Sequence, residues 1–472
     1  MRSDGGDRAA QGAVPPPPDT WGPFRALRRA ARAPVERFLA VEAASGVILV
    51  VAAIVALIWA NSPFRHTYEA LWHTPFGLRL GPWAIERDLH FWINDGLMTV
   101  FFFLVGLEIR REVHRGELSE LRRAALPFAA AVGGMVMPAA IYFALNRGRP
   151  SEVGWGVPMA TDIAFAVGVL TLLGKRVAPA LRILLLALAV IDDVGAIVVI
   201  ALFYSSGFSV AGLLVACVGI VVIAAMQKAG VRSPWAYVAP AVIVWAGVYA
   251  AGVHPAVAGV LVGMMTPARA WFGRERFVEL TQARMQSIRE TPAHDDHSIH
   301  AHLDAVVEAR REAVSPVERL QHALHEWVGF GIMPVFALAN AGVPLGSATF
   351  EGDGLRVFLG VTVGLVVGKP VGVLGISWLA ARAGLTTLPL GVRWSHVSVV
   401  GLSAGIGFTM ALFIAQLAFP EGPLLETAKL GILTASAVAA AAAFVGGIRA
   451  LRGGHARGAA RSDAEAEAST VA

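Results

Sequence analysis

Charge and cysteine are scarce in this chain of 472 residues. Lys, Arg, Asp and Glu together make up 15% of it, whereas soluble domains carry about 25%. The single cysteine, Cys217, excludes an intramolecular disulfide framework and a cysteine metal cluster. A net charge of +5 gives no reason to expect a nucleic-acid partner.

What replaces charge is apolar surface in long runs. Hydrophobic residues make up 56% of the chain. Stretches of about 18 or more recur, each long enough to cross a ~30 Å hydrocarbon core. We read an all-α polytopic membrane protein embedded in a lipid bilayer. Its spans lie near 39–60, 89–109, 124–146, 154–174, 180–204, 208–226, 235–251, 254–270, 318–342, 358–381, 395–419 and 426–449. The pair at 235–270 is divided by Gly252 and Pro255 into two short segments.

Basic residues test that division. If the N-terminus is cytoplasmic and the spans alternate, 31 of the 39 Lys and Arg fall in cytoplasmic segments and 7 on the other side. The remaining one, Lys369, lies within a span. Such a bias supports an even number of spans with both ends in the cytoplasm. Residues 1–37 then form a disordered cytoplasmic leader, with "PPPP" at 15–18 and no apolar core of a signal peptide. Residues 38–450 form one twelve-helix domain, and 451–472 a disordered cytoplasmic tail. Within the domain, 61–88 faces outward. It carries short alternating segments around Gly81-Pro82, which predict a β-hairpin. Its exposed edge could pair with a second copy. Residues 271–317 form a cytoplasmic loop rich in charge. Its "HDDHSIHAH" at 294–302 has metal-ligand residue types, but a polar linker is the plainer reading.

Ionisable residues inside spans are costly and mark function. Asp95, Glu108, Asp162, Asp192, Asp193 and Lys369 are the cases here. A buried pair that only fastens two helices would explain one of them. It does not explain several at similar depth, since apolar substitutions would pack as well. Asp192 and Asp193 are adjacent, so on a helix they point about 100° apart and cannot face one partner. Two spans also look broken. The fourth carries Gly154, Gly156 and Pro158 ahead of "ATDIA", and the eleventh carries Gly401, Gly405 and Gly407 in "GLSAGIGFTM". Each is central to a trio, spans three to five and ten to twelve, and the trios run in opposite directions. Glycine-interrupted helices at matching places in inverted repeats point to a transporter's binding site. Their exposed dipole ends would be neutralised by Asp162 at the positive pair and Lys369 at the negative pair.

"WINDGLMTVFFFLVGLEIRRE", "ATDIAFAVGVL", "ALAVIDDVGAIVVIA", "GVHPAVAGVLVG", "FALANAGV", "GKPVGV" and "GIGFTMALFIAQLAF" occur in this order over roughly 36–450. With these motifs the chain resembles NhaA-type sodium/proton antiporters. The resemblance implies twelve helices, the fourth and eleventh unwound where they cross. It implies electrogenic, pH-regulated exchange of Na+ or Li+ for H+ across the bacterial plasma membrane, and no cofactor. It implies that Asp192 and Asp193 bind the cation and the proton. Thr161, Asp162, Lys369, Gly405 and Gly407 would support that site at the crossing, with Asp95 a further intramembrane acid. Glu108, Arg111, Glu112, His254, His322 and His325 match residues linked to pH activation in a cytoplasmic funnel. Gln321 stands where the family pattern has an acid, so no carboxylate there can hold a proton on His322; Glu318 or Glu326 could substitute. His254 could instead cap or pack the start of the eighth span. The resemblance also implies a homodimer joined through the hairpin at 75–88. A proton-coupled antiporter of another cation, a cation channel and an intramembrane aspartyl protease are the alternatives. The protease would need a Gly-x-Gly-Asp signature, which "ATDIA" and "VIDDVG" do not fit.

Overall fold

The structure is a computed structural model that describes residues 43–470, apart from 81–82, 175–176, 206, 271–272, 291–295 and 390–391. The leader and the tip of the hairpin therefore lie outside the described residues. The first helix, α1 (Ala43–Ala60), is followed by α2 (Arg65–Trp72), which turns aside by 117°. Strands β1 (Pro75–Leu80) and β2 (Trp83–Asp88) pair antiparallel, from Pro75 against Asp88 to Leu80 against Trp83. The outward loop of the sequence reading thus also contains a helix. That helix, "RHTYEALW", is short and carries Arg65, His66 and Glu69, and only Tyr68 and Trp72 bury. The Tyr68 hydroxyl donates to the carbonyls of Leu338 and Ala339, which ties α2 to the bundle.

Among the described residues, six helices are long and apolar enough to cross a membrane: α3 (Leu89–Arg115), α4 (Arg122–Asn146), α6 (Pro179–Phe203), α7 (Val210–Lys228), α13 (Asp353–Arg382) and the 423–450 part of α16 (Pro423–Thr470). Two further apolar segments are bent rather than straight. The 3-10 helix Pro150–Met159 meets α5 (Ile163–Leu172) at 44°, and α14 (Trp394–Ala404) meets α15 (Phe408–Ala418) at 48°. Helices α8 (Val238–Ala250) and α9 (Ala256–Met265) are shorter, split where Gly252 takes φ +80. Only glycine adopts that angle at little cost. This is an all-α polytopic membrane protein with a small two-stranded sheet.

Two segments differ from the sequence reading. Residues 271–317 are not an unstructured linker: α10 (Arg274–Glu290) and α11 (Asp296–Ala313) pack as a helical hairpin. Their Glu, Arg, Gln and Ala content favours helix, and the amide of Gln286 donates to Glu290 one turn on. An ion pair from Arg232 to Glu312 joins the hairpin to the bundle. Ser315 then caps α12, a helix over 316–340, by accepting from the backbone of Glu318. At the other end α16 continues through Thr470, where a tail without structure is the sequence reading. The segment is rich in alanine, the strongest helix former. It is its lack of large apolar groups that suggests a disordered tail.

Among the described residues, three helices contain a π turn: α3 at Trp92–Leu97, α12 at Val328–Ile332 and α13 at Gly364–Gly368. Phe102, Phe336 and Phe413, from α3, α12 and α15, form a fully buried ring cluster between them, with Phe413 centroids 5.2 and 6.3 Å from the other two.

Candidate functional site: the crossing of two broken helices

Pro158 and the extended backbone of Ala160 and Asp162 end the first half-helix, and Gly405 to Gly407 interrupt the second. The two breaks lie against each other. The backbone N–H of Asp162 donates to the carbonyl of Ile406 at 2.7 Å, as in a single rung of a sheet. A Cβ on Gly405 would stand 2.7 Å from the carbonyl oxygen of Leu365, and one on Gly407 would stand 3.2 Å from that of Ala160. The glycines are what let backbone approach backbone here.

Each break exposes one helix N-terminus carrying about half a positive charge. The carboxylate of Asp162 serves both. Its Oδ1 accepts from the backbone of Phe165 at 3.0 Å, capping α5. Its Oδ2 accepts from the backbone and the hydroxyl of Thr409 at 3.2 and 2.5 Å, at the start of α15. Ser436 takes the neighbouring orphan donor, the N–H of Phe408, at 3.0 Å. At the negative end, the Thr161 hydroxyl lies 3.0 Å from the carbonyl of Ala404.

Asp192 and Asp193 sit mid-way along α6, both buried. Asp192 turns toward the crossing. Its Oδ2 is 2.7 Å from the Thr161 hydroxyl and 2.6 Å from Lys369 Nζ, and Lys369 also donates to Thr161. Lys369 therefore pairs with Asp192 and not with Asp162, and it reaches the carbonyl ends only through Thr161. Lys369 directly follows the π turn of α13, which orients it. Asp193 points elsewhere, as adjacent helical positions must. Asp193 Oδ2 and Asp192 Oδ1 are buried with no hydrogen-bond partner among the described residues. A buried carboxylate oxygen left bare is expensive unless a proton or a ligand meets it.

Residues 36–446 match the family profile described as Na+/H+ antiporter 1. The chain belongs to this antiporter family. It is 58% identical over 457 residues to the Na(+)/H(+) antiporter NhaA 2 of Myxococcus xanthus, covering 96% of this chain and 97% of the relative. The Na(+)/H(+) antiporter NhaA 2 of Sorangium cellulosum is 55% identical over 457 residues, covering 96% and 98%. The Na(+)/H(+) antiporter NhaA of Cupriavidus necator is 49% identical over 425 residues, covering 89% and 90%.

The other residues singled out from the sequence fall into two groups at opposite ends of this antiporter's α3. At the far end from the hairpin, Gln321 of α12 is buried between two charged groups. Its amide nitrogen donates to Glu108 at 3.3 Å, and its oxygen accepts from Arg111 at 3.0 Å. Arg111 also reaches Glu112 at 3.2 Å, and Arg115 reaches Glu318 at 3.2 Å. His322 and His325 are not part of this cluster. Both are exposed, without a hydrogen bond among the described residues. His322 is about 100° round the helix from Gln321, so the partners of Gln321 are Glu108 and Arg111 rather than the adjacent histidine.

His254 also lies apart from that cluster. It pairs with Asp95 at the hairpin end of α3, 3.3 Å from Nε2 to Oδ1, about 20 Å along the helix from Glu108. Its other nitrogen accepts from the backbone of Ala256, capping α9, and its ring meets Phe413 edge-on at 5.0 Å. It caps, as one sequence reading has it, and pairs with an acid as well. Thr409 and Ser436 escape the sequence reading. The position of Thr409 just after "GIG" is a signal for a helix-start hydroxyl; Ser436, 28 residues on, has none.

Proposed function

We propose that this chain exchanges Na+ or Li+ for H+ across the bacterial plasma membrane; its relatives' names state Na+/H+ antiport for them. The observation that carries the reading is the pair of bare oxygens, one on Asp192, which faces the crossing, and one on its neighbour Asp193. Carboxylate and hydroxyl oxygens suit a small hard cation. The same oxygens can each hold a proton, so Na+ and H+ compete for one site, and that competition is exchange. Thr161 adds a neutral oxygen. Asp162 keeps the half-helices together without contacting the ion. In the ion-free site Lys369 holds Asp192; an arriving Na+ takes its place and a proton leaves with the broken pair. With the proton from Asp193, two protons then move per Na+, and transport is electrogenic.

The reading extends to the whole molecule. Twelve spans place both termini in the cytoplasm, and the trios at spans three to five and ten to twelve are inverted repeats. Two copies join through the hairpin at 75–88. The Glu108, Arg111, Glu112 and Gln321 cluster sits at the cytoplasmic mouth and tunes the response to pH; no cofactor takes part. The test is purified protein in liposomes under a Na+ gradient, with internal pH as the signal. Proton movement that follows Na+ or Li+ and not K+ supports the reading. Na+ flux that ignores the proton gradient overturns it.

A further inference from the structure

The first half-helix of the crossing, Pro150–Met159, is a 3-10 helix of 10 residues. Runs of this kind longer than three or four residues are uncommon, because their hydrogen bonds are poorer than those of an α-helix. A side chain from outside the segment supports it here. Tyr204 directly follows α6. Its hydroxyl accepts from the backbone N–H of Gly156 at 3.1 Å and donates to the carbonyl of Val153 at 2.8 Å. Those two groups, three residues apart, are the ends of one 3-10 rung. In an α ladder the N–H of Gly156 would turn to Glu152, and the carbonyl of Val153 to Val157. The hydroxyl thus bridges a 3-10 pairing and competes with the α pairing. Gly156 gives it room, since a Cβ there would stand 2.7 Å from the Tyr204 oxygen.

The length of this segment matters at the exchange site. From Val153 to Met159 the 3-10 rise of ~2.0 Å per residue spans about 12 Å, and the α rise of ~1.5 Å would span about 9 Å. The end away from the crossing is fixed to other helices. Arg149 pairs with Asp353 of α13 at 2.6 Å, and Tyr142 of α4 donates to the carbonyl of Ser151 at 2.8 Å. A shortening of about 3 Å would therefore be felt at the crossing. There the Thr161 hydroxyl meets Asp192 at 2.7 Å. A hydrogen bond does not survive a displacement of that size. Asp192 and Tyr204 both belong to the α6 side of the contact, ~18 Å apart along the helix axis. One helix thus holds the segment at two points, and one of those points is the exchange site.

We propose that Tyr204 is a positioning residue for cation exchange: by bridging Val153 and Gly156 it keeps the half-helix extended, so that the Thr161 oxygen reaches the cation held at Asp192. The role rests on the exchange site proposed above. Tyr204 itself touches neither the cation nor either aspartate. Without its hydroxyl the segment relaxes toward the shorter ladder, Thr161 draws back, and the cation loses a neutral oxygen while the carboxylates stay in place.

Tyr204→Phe removes the hydroxyl alone. Purified protein in liposomes, with internal pH as the signal and Na+ varied at one fixed pH, gives the half-saturating Na+ concentration and the maximal rate. We expect Tyr204→Phe to raise the first by about threefold or more and to leave the second within about twofold, the pattern of a lost binding contact. Gly156→Ala should do the same by a different route, since its methyl would push the Tyr204 oxygen off the rung. Tyr142→Phe deletes a bond to the same half-helix, but from α4 and at the end that Arg149 still holds. It should lower the melting temperature and leave the half-saturating Na+ unchanged. Where Tyr204→Phe cannot be purified folded, Gly156→Ala decides by the same criterion. Half-saturation equal to that of the parent overturns the role of Tyr204, and so does an equal rise in Tyr142→Phe, which would mean general loosening. A parent protein without Na+-driven proton movement overturns the exchange reading and this role with it; a parent that exchanges, beside variants that match it, overturns the role alone.

Discussion

Lys369 Nζ lies 2.6 Å from Asp192 Oδ2, and neither side chain reaches solvent. Removing one member of such a pair leaves the other charge buried alone, which costs about 3–5 kcal/mol. Lys369→Met should therefore lower thermal stability sharply. The double variant Lys369→Met with Asp192→Asn should recover most of the loss, because no charge is stranded. Melting of the purified proteins in detergent gives the comparison. A double variant no more stable than Lys369→Met alone would show that the pair is not what the stability depends on.

Asparagine matches aspartate in shape but carries neither the charge nor the exchangeable proton. Asp192→Asn and Asp193→Asn should each abolish Na+-driven proton movement in everted vesicles. Full activity in Asp193→Asn would remove that residue from the site.

Thr409→Val deletes the 2.5 Å bond to Asp162 while keeping the volume. Bonds to a charged group are worth about 1.5–3 kcal/mol, so the melting temperature should fall by that equivalent. Gly405→Ala should be worse, since its new methyl meets the Leu365 backbone rather than a movable side chain. Equal melting of Gly405→Ala and the parent would mean that the crossing yields easily.

Gln321→Glu would put a second carboxylate 3.3 Å from Glu108, with Arg111 shared between them. Two carboxylates that close retain one proton to higher pH, so the activation midpoint should move alkaline by up to about one unit. Antiport assayed from about pH 6 to 9 covers the range, and His322→Gln and His325→Gln, at exposed positions, should leave the profile in place. An unmoved midpoint in Gln321→Glu would leave competition at Asp192 and Asp193 as the sole source of pH dependence.

Two protons per Na+ move net charge. A Na+ jump on protein adsorbed to a supported membrane should give a transient current, absent in Asp193→Asn. An electrically silent response would reject that stoichiometry.

The apolar runs, the broken helices and the intramembrane acids were legible in the sequence because each breaks a strong local rule. A carboxylate in hydrocarbon or a glycine cluster in a helix needs no partner to be noticed. Pairings were harder to see. The choice of Lys369 for Asp192 over Asp162 depends on α13, 177 residues away from Asp192, and on the turn that aims it. The surroundings of His254, His322 and His325 were hard to see for the same reason: residue type and position say that a histidine matters, while the direction of its side chain is set by a helix phase fixed through packing. The helices at 274–313 were missed for another reason. Their apolar content is low, and helix propensity alone is a weak signal beside hydropathy.

The π turn at Gly364–Gly368 has a consequence for the length of the chain. A π turn is an α-helix holding one residue more than its turn needs. Deleting a single residue there, such as Val366 or Val367, would restore a regular ladder and leave the two ends of α13 nearly in phase. Lys369, next in the chain, would keep its face toward Asp192. A deletion in the regular turns of α13 has no spare residue to absorb it and would rotate the rest of the helix by about 100°.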